Sequence, residues 1–257
     1  MRRKNLEKLI GTIITSLAFA FEVFLFKVYF NQHLSPFTFL SAFLLCFSGY
    51  TYLRFTENNR INAISFVAFA VFLLSIFFYI QSNEMKEILN KLIILSFALL
   101  IILIYHSSLH LRVLRGNIIL KPLVISIVWL LLIYLYVNEF EWMFYFHQCL
   151  FIALLTIPFD IKTMNTDQFS TLPKVLGIRK TKKILAILIV LYALLSLLFL
   201  LPFSIISLVI SVLLLISVLS EFTFKDLWLY IFYDGVIILQ SLLVFLFIYN
   251  QYYLFSK

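Results

Sequence analysis

The sequence predicts an all-α integral membrane protein of about nine transmembrane helices. Three observations point that way. Of the 257 residues, 63% are hydrophobic and only 12% charged, whereas soluble domains run near half apolar and a quarter charged. The mean hydropathy is +1.06, and a soluble core of this size could not enclose 30 Phe together with the other apolar side chains. The basic residues, finally, gather in alternate connections between the apolar runs.

A membrane helix needs ~20 mostly apolar residues, with roughly 17–25 tolerated. Runs that meet this lie near 9–31, 35–53, 62–81, 89–106, 118–137, 141–159, 183–201, 204–220 and 229–250. The first follows Met-Arg-Arg-Lys, which resembles a signal-peptide start, and Ala18-Phe-Ala20 mimics a cleavage site. Its apolar run continues to Phe30 with no polar region between, so an uncleaved first span is expected. His33 to Pro36 separates it from the second run, and Asn58-Asn59-Arg60 ends that one. Ser82 to Glu87 breaks the third from the fourth, Ser107 to Gly116 the fourth from the fifth, and Asn138 to Glu141 the fifth from the sixth. The sixth stops at Asp160, and Pro202 divides the seventh from the eighth. Barrel strands would alternate apolar and polar residues, and these runs do not. No internal repeat, low-complexity tract or soluble module interrupts residues 1–257, which read as one polytopic domain.

Charge sets the expected orientation. With the N-terminus cytoplasmic, the inner side holds sixteen of the twenty Lys and Arg residues, and Lys27, Lys86, Lys91 and Lys257 remain outside. Basic residues accumulate on cytoplasmic connections. The net charge of +8 therefore has a topological origin, and membrane lipids, not nucleic acid, are the expected surroundings. The expected location is a bacterial inner (cytoplasmic) membrane. Cys46 and Cys149 both fall inside apolar runs and read as small buried hydrophobes, not a disulfide or a metal pair.

Ionisable side chains inside membrane helices are costly and seldom face lipid. Three occur: Glu22 in the first run, His147 in the sixth and Asp234 about a turn into the ninth. Glu22 is expected to meet a partner on another helix, His147 to pack with a hydrogen bond, and Asp234 either to pair structurally or to face a cavity open to the cytoplasm. Lys27 can reach the outer interface by extending its stem.

One long polar island stands out, running from Asp160 through Asp167, Thr171-Leu-Pro173 and Leu176-Gly177 into Arg179, Lys180, Lys182 and Lys183. Asp160 ends the sixth helix and Asp167 follows seven residues later. This arrangement resembles the second aspartate-rich motif of UbiA-type intramembrane prenyltransferases, loosely D-x-x-D-x-x-x-D followed by T-L-P and L-G. Nine helices and a cytoplasmic motif after the sixth resemble that family too. The specific motif covers about eighteen residues. Its middle acidic position is Thr163, and where the family's first motif would fall stands Tyr50-Thr-Tyr-Leu-Arg54-Phe-Thr-Glu57-Asn58-Asn59, with Arg54 in place of an aspartate.

The resemblance implies a helical bundle around a central cavity and transfer of a prenyl group from a prenyl diphosphate to an acceptor. It also implies a magnesium-dependent reaction, with Mg2+ held by Asp160 and Asp167 and with Glu57 as a further candidate. Mg2+ commonly takes one or two carboxylates with phosphates and water. Arg54, Arg60, Lys162, Arg179 and Lys121 become candidate contacts to the diphosphate, as forked or point donors. Tyr105 and Asp234 become cavity candidates. Two plainer readings stand beside this one. The aspartates can serve as loop solubilisers and the basic patch as a headgroup anchor, and the same fold can bind an isoprenoid or other lipid without catalysis. A transporter is disfavoured, because no paired spans carry the Gly/Pro interruptions of broken helices and the chain has only five glycines.

Overall fold

Apolar runs placed in lipid must satisfy every backbone N–H and C=O internally, which a helix does within one segment. The computed structural model describes residues 2–55, 63–82, 85–106, 120–165, 171–198, 204–220 and 229–255, and all regular elements among them are helical. They are α1 (Arg2–Tyr29), α2 (Pro36–Phe55), α3 (Ala63–Ser82), α4 (Met85–His106), α5 (Leu120–Tyr134), α6 (Trp142–Thr163), the one-turn α7 (Leu172–Leu176), α8 (Ile178–Leu198), α9 (Ser204–Leu219), a π-turn (Tyr230–Asp234) and α10 (Gly235–Phe255).

Five stretches among the described residues are long and apolar enough to cross a membrane: Asn5–Tyr29, Ile64–Gln81, Trp142–Thr163, Ile178–Leu198 and Tyr230–Tyr249. Lys91–Ile101, Leu120–Tyr134 and Ser204–Leu219 are apolar but shorter. Outward-facing side chains suit a lipid solvent. Phe66, Ile93 and Leu198 are 69%, 72% and 74% exposed, a load of bare apolar surface that water would not tolerate.

The chain forms two compact units. The first comprises residues 1–96, 133–139 and 225–257. Its centre is α1, which packs against α2, α10 and the π-turn. Ala18, Phe19, Ala20, Val23, Leu25 and Phe26 are buried around it, and the small residues Thr12, Thr15 and Ser16 are buried with them. Small side chains let membrane helices approach closely. α2 runs antiparallel to α1, with Cys46 near Thr15 and the Phe39 ring edge-on to Phe21. α10 runs parallel to α1, as the Thr15–Asp234 and Phe24–Phe245 contacts require. The reversal after α1 uses Asn31 at φ 52, a conformation that asparagine tolerates well. A crevice of about 290 Å3 between α1 and α2 is lined by Phe21, Phe24, Pro36 and Phe39 together with Lys27 and Thr38.

Residues 133–139 complete this unit. The expected fifth span, 118–137, leaves its helix at Tyr134. Three hydrogen bonds explain why. Tyr79 donates its hydroxyl to the Leu135 carbonyl at 2.9 Å, the Tyr136 hydroxyl lies 3.0 Å from Ser41 Oγ, and Lys91 donates to Asn138 Oδ1 at 2.5 Å. Side chains on α2, α3 and α4 thus capture backbone and side-chain groups that a continuing helix would have pointed elsewhere.

The second unit comprises residues 97–132 and 140–224. Its core follows α6, where Phe144, Tyr145, Phe151, Ile152, Leu154, Leu155 and Ile157 are buried. Tyr192 on α8 stacks on both His147 and Phe151, and α8 pairs with α9. Cys46 is buried, as expected, whereas Cys149 is partly exposed and not the buried hydrophobe its apolar run suggested.

Candidate functional site

The polar island begins where α6 ends. Pro158 lies inside that helix, and its missing N–H leaves the Leu154 carbonyl without its usual donor. Asp160 follows in the last turn, a position where the helix dipole opposes a negative charge. A cation offsets this: Lys121 Nζ on α5 donates to Asp160 Oδ1 at 2.6 Å. Both side chains are largely buried, at 13% and 8% exposure. Lys162, in the same last turn, has the sign the dipole favours there. The Thr163 hydroxyl, at the motif's middle acidic position, donates back to the Phe159 carbonyl at 3.0 Å.

The T-L-P and L-G elements are also local structure. Thr171 precedes α7, Pro173 sits in its first turn, and Gly177 ends it. Proline is preorganised for a helix start, while Gly177 has φ 79 and ψ 158, a region that only glycine enters without strain. The Gly177 N–H returns to the Pro173 carbonyl at 2.9 Å, and the Gly177 carbonyl receives the backbone N–H and the hydroxyl of Thr181. α8 then opens with Arg179 and Lys180 exposed and no acid in its first turn. Cations at a helix N-terminus work against the dipole, so helix stability does not account for them.

The candidate residues divide as follows. Lys121, Asp160, Lys162 and Arg179 belong to the second unit, where Lys121 is in direct contact with Asp160. Asp167, Glu57 and Arg60 lie outside the described residues. Arg54 occupies the last turn of α2 and Tyr105 the last turn of α4, but their side chains lie outside the described set. Asp234 belongs to the first unit, where it ends the π-turn and accepts a 2.6 Å hydrogen bond from Thr15. It is 6% exposed.

Sequence reasoning missed several polar side chains. Thr15 as the partner of Asp234, Ser196 as the partner of His147, and the fully buried Gln148 and Gln240 were all unanticipated. Glu22 departs from expectation as well: it is fully buried, but neither carboxylate oxygen has a hydrogen-bond partner among the described residues. The available signal was a polar residue inside an apolar run, such as Gln240 in Ile-Leu-Gln-Ser-Leu.

Among the described residues, no group of three or more His, Cys, Asp and Glu side chains converges. Asp160 is the one carboxylate of the expected metal pair within them. It fits a magnesium ion only jointly with Asp167 and bound phosphate oxygens. Comparison with protein-family models, with curated proteins and with solved structures finds no match.

Proposed function

We propose that the protein is an integral membrane protein that binds a prenyl diphosphate or related isoprenoid lipid and, as a UbiA-like prenyltransferase, passes the prenyl group to an acceptor. The observation that carries this reading is the Lys121–Asp160 pair, a largely buried base and acid where two apolar helices meet the polar island. A diphosphate needs cations within reach of water while its hydrocarbon tail lies among apolar walls. Lys121 suits that task, because an ammonium can pass from a carboxylate to a phosphate oxygen and keep a charge-assisted hydrogen bond throughout. Lys162, Arg179 and the neighbouring cations add positive charge along the same stretch of chain.

The full proposal is a bundle of nine helices around a central cavity, with the N-terminus and the site facing the cytoplasm of a bacterial inner membrane. Mg2+ would be held by Asp160 and Asp167 with diphosphate oxygens, where it supplies Lewis-acid neutralisation of the leaving group. Lys121 and Lys162 orient the headgroup, and the apolar helices keep water from the allylic carbon.

The test is direct. Purified protein with Mg2+ and a panel of prenyl diphosphates is expected to release diphosphate, and Asp160→Ala and Asp167→Ala are expected to abolish the release. Undiminished turnover in both variants would remove these aspartates from the mechanism.

A second reading, binding without transfer, is favoured by one observation. Asp160 is already neutralised by Lys121, which lowers its value as a metal ligand. It predicts an isoprenoid or quinone that co-extracts with the protein and no diphosphate release, and reproducible turnover excludes it.

A further inference from the structure

Outside that headgroup reading, and in the other unit, α1 holds a carboxyl group in an unusual state. Glu22 is fully buried, and both its oxygens lack a hydrogen-bond partner among the described residues. The titratable or charged groups on the elements packed around α1 are Tyr230, Tyr233 and Asp234 on the π-turn, Tyr249, Tyr252 and Tyr253 on α10, and Cys46, Tyr50, Tyr52 and Arg54 on α2. Besides Glu22, α1 itself carries Arg2, Arg3, Lys4, Glu7 and Lys8 in its first two turns and Lys27 and Tyr29 in its last. No donor among the described residues reaches Glu22. Asp234 is engaged with Thr15, and Lys27 donates to the His33 carbonyl at 3.3 Å.

A second buried group lies at the same level. The parallel register of α1 and α10 is pinned by Thr15–Asp234 at one point and by Phe24–Phe245, with ring centroids 5.2 Å apart, at another. Glu22 is seven residues beyond Thr15, about 10 Å along its helix, and Gln240 is six beyond Asp234, about 9 Å along its own. Both therefore fall between the two pins. Gln240 is fully buried, and neither its amide oxygen nor its amide nitrogen has a hydrogen-bond partner among the described residues. A carboxylic acid and a primary amide are complementary, since each donates one hydrogen and accepts one.

An ionised carboxylate removed from water needs one positive charge beside it. An alkali cation would require a shell of several oxygens, which Glu22 and Gln240 do not supply. A proton requires none. We propose that Glu22 is a proton-binding site in the α1–α10 seam, taking up and releasing a proton, with Gln240 as the amide at its level and Asp234 as the next acid along the seam.

Dicyclohexylcarbodiimide tests this, because it modifies protonated carboxyl groups in apolar surroundings. The full chain in liposomes would be treated across a pH series and the Glu22 peptide quantified by mass spectrometry. Modification of Glu22 is expected, with a rate that falls about tenfold per unit of pH once the group ionises. Added Na+ or Li+ at constant pH should leave the rate unchanged. Glu22→Gln should abolish the label while melting as the parent does, and Gln240→Met should shift the pH midpoint. Failure to label Glu22, or labelling that ignores pH, would make it an inert structural acid and overturn the proposal. Protection by Na+ or Li+ would overturn it in favour of an alkali-cation site.

Discussion

Lys121 Nζ and Asp160 Oδ1 stand 2.6 Å apart, joining α5 to the last turn of α6 across 39 residues of sequence. Each charge is largely withdrawn from water, so each depends on the other. Breaking such a pair from one side strands a buried charge and typically costs about 3–5 kcal/mol, whereas replacing both partners can be nearly neutral. Lys121→Met is therefore expected to lower the thermal midpoint in detergent sharply, and Lys121→Met with Asp160→Asn to restore most of it. Equal loss in the single and double variants would show that the pair contributes little to the fold. The double variant also separates the two roles of the pair, because under the proposed function it should stay folded and still fail to bind a prenyl diphosphate.

Gly177 offers a cleaner test of backbone chemistry. Its φ of 79 is combined with ψ 158, and a Cβ built there would meet nothing within 4 Å. Any cost of substitution is then conformational and not steric crowding by neighbours. Gly177→Ala should lose about 1–3 kcal/mol of stability. Gly177→Asn should lose about as much, since asparagine is favoured in the ordinary left-handed region and not in this one. A pair of melting curves decides the point, and an asparagine variant as stable as the parent would mean that the turn relaxes.

The His147 ring hydrogen-bonds Ser196 and stacks on Tyr192 with centroids 4.4 Å apart, tying α6 to α8. All three side chains are buried. Ser196→Ala leaves His147 with one fewer partner in a dry interior and should cost about 1–3 kcal/mol. His147→Phe in the Ser196→Ala background should recover part of that, because a ring of similar size keeps the stack without the polar atoms. Denaturation of Ser196→Ala, His147→Phe and the double variant in one detergent gives the comparison. Full additivity of the two changes would show that the side chains do not act as a pair.

How much of this was legible in the sequence depends on the range of the interaction. Helices and several of their ends follow from local chemistry: Pro36 opens α2, and Gly177 ends α7. The island from Asp160 to Lys183 was visible because polarity contrasts with an apolar background. Its T-L-P and L-G spacing, however, also satisfies the needs of a one-turn helix, so local structure alone accounts for part of the motif. The contacts that organise the interior were not legible. Lys121 with Asp160, Thr15 with Asp234 and Ser196 with His147 join residues 39 to 219 positions apart, and nothing in either local segment names the partner. The π-turn at Tyr230–Asp234 was hidden for the same reason, since its residues are ordinary helix formers.

The early end of α5 is the remaining surprise, and Tyr136 is where it can be tested. Ser41 Oγ donates to the Ser75 carbonyl at 2.9 Å, so its single hydrogen is committed and the Tyr136 hydroxyl must be the donor in the 3.0 Å contact with Ser41. The Tyr136 ring also meets Tyr79 edge-on at 5.4 Å and is 2% exposed. Tyr136→Phe removes one hydrogen bond but leaves Ser41 satisfied by Ser75, and should cost about 1 kcal/mol. Tyr136→Ala removes the ring as well and should cost about 3–5 kcal/mol. Melting of both variants, with Tyr79→Phe as a third, distinguishes hydrogen bonding from packing as the force that turns the chain at Tyr134. If Tyr136→Phe were as damaging as Tyr136→Ala, the hydroxyl and not the ring would hold the segment in place.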